Sequence, residues 1–128
     1  MAEDAAFENP TRGRRGKKSD GLTEVVETIA AMPEHDRAMA MRLHAIIERT
    51  APALQPRLWY GMPAYAKDGK VLCFFQSASK FKVRYATLGF EEQAALDDGA
   101  MWPTSYALTD LGDAEEARIE ELVRKAVS

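Results

Sequence analysis

The groups in this chain able to do chemistry are two histidines, one cysteine, several carboxylate clusters and a short run of basic residues. His35 and His44 are nine positions apart and belong on or near one helix, without the Glu-x-x-His or His-x-x-x-His pairing that helical metal ligation uses. Solvated or locally hydrogen-bonded imidazoles are the expectation for both. Cys73 lies inside Val71-Leu72-Cys73-Phe74-Phe75, an apolar run that raises a thiol's pKa and leaves it inert. As the only cysteine it excludes an intrachain disulfide and a multi-cysteine zinc site. No Gly-x-Ser-x-Gly elbow, Gly-rich phosphate loop or dinucleotide fingerprint occurs. Enzyme chemistry is therefore not expected, and no cofactor is implied by any motif.

Carboxylates are the material for binding a hard cation, because oxygen ligands suit such ions and can hold ferrous iron. Glu24 and Glu27 fall on the first helix, and Glu115, Glu116, Glu120 and Glu121 on the last. All lie off the apolar stripes, and Glu120 and Glu121 face Arg124 and Lys125 four residues on, so a solvated face is the competing expectation. Asp97 and Asp98 stand where a short helix should end, opposing its dipole at about 0.3–1 kcal/mol each. Turn hydrogen bonds around Gly99, a nearby arginine or a cation would offset that cost.

Lys80, Lys82 and Arg84 alternate with Phe81, Val83 and Tyr85, a period of two that predicts a strand with one basic edge. In the neighbouring strands, Val71, Cys73 and Phe75 oppose Leu72 and Phe74, and Trp59, Pro63 and Tyr65 oppose Leu58, Tyr60 and Met62. Both faces are thus apolar, although helices of a two-layer domain cover one. An uncovered apolar face marks an interface or ligand groove, unless loops of the same chain seal it. Trp59, Tyr60, Met62, Tyr65, Lys82, Arg84 and Trp102 are the candidate ligand-binding residues. They suit a small anionic, partly apolar ligand, a protein partner, or the self-complementary seam of a homodimer.

The elements that position these groups follow from periodicity. Leu22, Val25, Val26 and Ile29 predict one amphipathic helix, and Met39, Leu43, Ile46 and Ile47 a second, between Pro33 and Pro52. Arg57–Lys67 and Val71–Gln76 read as strands joined by the turn Lys67-Asp68-Gly69-Lys70. A turn at Ser77–Ser79 leads to the strand Phe81–Tyr85, then a short helix Phe90–Leu96 and an edge strand Met101–Tyr106 bearing Pro103. The last helix has a capping box at Asp113 and Glu116 and a stripe of Ile119, Leu122, Val123 and Ala126. The order predicts an α+β fold: an antiparallel sheet of about five strands with N-terminal helices and a C-terminal helix on one face.

A chain of 128 residues fits a single domain. Within residues 1–20, read as a disordered arm preceding a domain over 21–128, Arg12, Arg14, Arg15, Lys17 and Lys18 outnumber Glu3, Asp4 and Glu8. The net charge of −3 therefore conceals a basic arm on an acidic domain. The arm lacks interleaved aromatics for stacking bases, so nucleic acid is not the expected partner. No apolar run approaches the roughly 20 residues that span a bilayer, and no signal-peptide core is present, so a cytoplasmic location without membrane partners is expected.

The string Arg57-Leu58-Trp59-Tyr60-Gly61-Met62-Pro63-Ala64-Tyr65, with Arg84–Phe90, Leu96–Gly99 and Met101–Leu108, resembles the YdhG-like family of small bacterial domains. The likeness runs over residues 22–127 and implies a frataxin-like fold. For some relatives it also implies a role as an iron chaperone, for which Glu115, Glu116, Glu120, Asp97 and Asp98 are the candidate ligands here. No catalytic residue comes with it. The reading is a non-enzymatic binding module, with iron delivery as the alternative.

Overall fold

The computed structural model describes the backbone from Lys17 to Ser128 and the side chains from Asp20 onward. Most of the expected N-terminal arm lies outside the described residues, and the first helix already begins at Lys17. Helices α1 (Lys17–Ala30) and α2 (Glu34–Thr50) precede strands β1 (Gln55–Trp59), β2 (Met62–Lys67) and β3 (Lys70–Gln76). The one-turn helix α3 (Ala78–Phe81), strands β4 (Ala86–Phe90) and β5 (Ser105–Leu108), and helix α4 (Asp113–Val127) complete the chain. All strand pairs are antiparallel and run β1-β2-β3-β4-β5, so the molecule has an α+β fold.

The expected strand over 57–67 is two strands. Tyr60 and Gly61 both take positive φ, 52° and 76°, and form a two-residue turn that pairs Trp59 with Met62. This reverses the parity expected for β1. Trp59 shares a face with Met62 and Ala64, whereas Leu58 shares the other with Pro63 and Tyr65. Asp68 and Gly69, at 52° and 83°, make the predicted second turn. A bulge opposite Tyr65 and Ala66 shifts the register of β3, so Val71 pairs with Ala66 while Cys73 pairs with Tyr65. Leu72 consequently joins Cys73 and Phe75 in the core, where simple alternation had put it on the opposite face.

That core faces the helices. Val25 and Ile29 of α1, Leu43, Ile46 and Ile47 of α2, and Ile119, Val123 and Ala126 of α4 pack on Tyr65, Phe75, Leu88 and Leu108. Val26, expected on the α1 stripe, is 48% exposed. Gly21 lets α1 approach the edge strand, since a Cβ there would stand 2.2 Å from the carbonyl oxygen of Pro56. Helix α4 is tied to α2 by Arg42, which meets Asp113 and Glu116 at 2.7 Å each, and by Arg49, which meets Glu116 and Glu120. Glu116 is thereby engaged, and it is Glu115 that accepts the N–H of Gly112 at 2.8 Å to cap α4.

Two further expectations fail. Phe81–Tyr85 is not a strand: Ser77 accepts the N–H of Lys80 and starts α3, and Lys82 closes it in the left-handed region at φ 55°. The alternation there reflects no sheet, and residues 81–85 are all exposed. Residues 86–90 form β4, so the expected helix from Phe90 is an irregular segment, with β5 beginning only at Ser105. No described helix is long and apolar enough to cross a membrane.

Candidate ligand-binding site

At one end of the sheet the β1–β2 turn, the α1–α2 junction and the β3–α3 junction converge on a cleft of about 320 Å³. Its apolar wall is Ala31, Met32 and Pro33 from the helix junction, Met62 and Pro63 from the start of β2, and Phe75 from β3. Thr28, Ser77, Ser79 and Lys80 supply the polar groups. The Lys80 amine donates to the carbonyl of Gly61 at 3.2 Å, bridging α3 to the turn across one side of the cleft.

The polar side is held by Asp36, a carboxylate only 3% exposed at the start of α2. One of its oxygens accepts the Ser77 hydroxyl at 2.6 Å and the Ser79 N–H at 2.9 Å. Burial pushes its pKa up, but the hydrogen bonds from Ser77 and Ser79 outweigh that and hold it below the ordinary aspartate value. Arg37 donates to the carbonyl of Met32 at 3.2 Å, fixing the helix junction. The walls are thus braced from three elements.

The residues expected to share one ligand face are distributed among five places. Met62 lines the cleft. Trp59 and Tyr60 lie beside it at the turn, with ring centroids 4.9 Å apart, and Tyr60 is 80% exposed. Trp59 also meets Phe74 at 5.2 Å on the face away from the helices. Tyr65 points the other way, into the core, where its hydroxyl and His44 Nδ1 are hydrogen-bonded at 2.8 Å and burial pushes the phenol up. Lys82 and Arg84 are in the exposed loop after α3, with Arg84 lying over the Tyr85 ring at 5.3 Å. Trp102 packs half-buried against the core elsewhere. The turn at Tyr60-Gly61 and the loss of the 81–85 strand are the physical reasons for this dispersal.

The carboxylates expected as iron ligands are likewise separate. Glu116 and Glu120 meet arginines, and Glu115 caps α4. Asp97 and Asp98 sit exposed in the loop that touches the opposite end of α4, where Ala95 N–H donates to Ala126. Among the described residues no three His, Cys, Asp or Glu side chains group as a metal site. His35 bonds the carbonyl of Thr109 at 2.7 Å, and the buried Cys73 thiol is pushed up to about 12.

Lys80 was missed as a cleft residue because it read as one rung of a basic strand. The Gly-Met-Pro string was the available signal, since a glycine turn followed by proline marks a backbone corner. Compared with known proteins, the chain matches no family model, no curated protein and no solved structure.

Proposed function

We propose that this protein is a non-enzymatic binding module, acting in the cytoplasm, that takes a small organic acid in the cleft between Met32, Met62 and Lys80. The observation carrying this reading is a braced, mostly apolar cleft of about 320 Å³ with one amine at its edge. Small-molecule sites have this composition and scale, with few polar groups orienting a largely apolar ligand. The Lys80 ammonium can exchange the neutral Gly61 carbonyl for a carboxylate, a stronger charge-assisted contact. The YdhG-like string supplies Gly61, Met62 and Pro63 of this wall, which ties the resemblance to the same place. Iron delivery rests on that family likeness alone, because Glu116 and Glu120 serve arginines, Glu115 caps α4, and Asp97 and Asp98 belong to a separate loop where, among the described residues, no third ligand joins them.

Isothermal titration of the full chain with phenylacetate, indole-3-acetate and decanoate is the test. We expect saturable binding of at least one acid, weakened about tenfold by Lys80→Met, as loss of one charge-assisted hydrogen bond implies. Met62→Trp fills the cleft and should abolish binding while the protein stays folded. Silence from all three acids, or binding indifferent to both substitutions, refutes the assignment.

A further inference from the structure

Between Glu91 and Thr104 the chain carries Glu91, Glu92, Asp97 and Asp98 and not one lysine or arginine; the next basic residue is Arg118. Among the described residues none of these four carboxylates has an ion-pair partner, in contrast to Glu116 and Glu120 on α4. The segment is nonetheless fixed in place. Glu91 N–H donates to Leu72 at 2.8 Å, Ala95 N–H to Ala126 at 3.0 Å, and Phe90 N–H to Thr104 at 2.8 Å. Ala94 and Leu96 are buried in the core.

These ties shape a second cleft, of about 420 Å³, at the end of the sheet opposite the first. Trp102, Met101, Leu96 and Ala94 make its apolar lining, and Glu91 and Glu92 its charged side. Met101 is 88% exposed, an unbranched thioether held in water beside an indole.

We infer that this cleft is a ligand site for a small alkylammonium cation, quaternary or fully alkylated. A cation with a hydrocarbon shell satisfies both halves of the lining. Its methyl groups meet the apolar wall to which Trp102 contributes, and its charge meets carboxylates that no ion pair neutralises. A small organic acid is repelled by the same carboxylates, so the two clefts select opposite charges. A primary ammonium would have to replace three hydrogen bonds to water, and this lining is mostly carbon. A quaternary nitrogen has no such demand.

The test uses the full chain, with choline as probe and 3,3-dimethylbutan-1-ol as its neutral isostere, read by the indole N–H resonances of Trp102 and Trp59 in proton–nitrogen spectra. Choline is expected to shift the Trp102 signal saturably and leave Trp59 unmoved, with the isostere about tenfold weaker, as a lost cation–π and ionic contact implies. The exposed-side variant Glu91→Gln/Glu92→Gln should weaken choline without changing binding of the isostere. In isothermal titration, which does not need the Trp102 indole signal, Trp102→Leu should remove choline binding, and Trp102→Phe, which keeps a ring against the core, should preserve much of it. Equal binding of choline and its isostere overturns the inference. So does a shift that never saturates, or choline binding unchanged in Glu91→Gln/Glu92→Gln.

Discussion

The Asp36 carboxylate accepts the Ser77 hydroxyl at 2.6 Å across 41 positions of sequence, joining the first turn of α2 to the end of β3. Ser79 adds its backbone N–H to the same oxygen. Asp36→Ala would leave the buried Ser77 hydroxyl and the part-buried Ser79 N–H without their acceptor, so a loss of about 1–3 kcal/mol is expected in urea unfolding. The acid limb of the stability curve provides a second reading. The native pKa of Asp36 lies below its unfolded value of about 3.9, so its contribution is complete above that value and disappears as pH falls through the native pKa. Asp36→Asn should lack that component of acid sensitivity. Identical acid limbs for the two proteins would refute the role.

Gly21 reverses an ordinary rule. In an exposed helix interior, alanine is favoured over glycine by about 1 kcal/mol. Here the new Cβ would stand 2.2 Å from the backbone oxygen of Pro56, and a strand backbone cannot swing aside as a side chain does. Gly21→Ala should therefore destabilise, by about 1–3 kcal/mol as overpacked sites do. A melting temperature that rises instead would show that α1 can lift from β1 freely.

Gly89 provides the contrasting case. A Cβ there would come within 2.2 Å of the Phe74 ring, which lies across the glycine on the face away from the helices. The ring is the far end of a partly exposed side chain and can rotate away. Gly89→Ala should leave the fold intact yet disturb the contact between Phe74 and Trp59 at 5.2 Å. The readout is a changed Trp59 emission in a Trp102→Phe background, with little change in the unfolding midpoint. Unaltered emission would mean the ring never rested there.

Cys73 reports on opening of the core. Its thiol is fully buried and pushed up to about 12, so the reactive thiolate is scarce and inaccessible in the native protein. An aromatic disulfide reagent at mildly alkaline pH should titrate one thiol in denaturant and react slowly without it. Prompt stoichiometric reaction of the native chain would contradict the packing described around Tyr65 and Phe75.

The sequence made some elements legible because one force determined them. The stripe Ile119, Leu122, Val123 and Ala126 follows helical period, and all but the half-buried Leu122 are buried as expected. Asp68-Gly69 announces its turn through residue types that tolerate positive φ. Tyr60 hides the equivalent turn, since a bulky side chain at φ 52° is uncommon and only the Gly61 beside it hints at a corner. The 81–85 alternation was a local pattern without a partner strand, overridden when Ser77 capped α3. Likewise the expected capping glutamate, Glu116, was claimed by Arg42 and Arg49 from another helix. Met62 could be named for the first cleft because it sits in the Gly-Met-Pro string. Lys80 and Asp36 could not, because their positions depend on contacts between distant segments.

The strand order also shapes how the chain comes together during synthesis. Each strand lies beside its predecessor, so the sheet can zip up hairpin by hairpin as the polypeptide emerges. The final helix obeys a different schedule, for Arg42 and Arg49 wait 74 and 67 residues for Glu116. A translation product clipped before Asp113 would display two solitary guanidiniums beside an oily, half-roofed sheet. Chaperones and quality-control proteases recognise that kind of surface, so nascent copies are most vulnerable just before the fifteen residues of α4 dock.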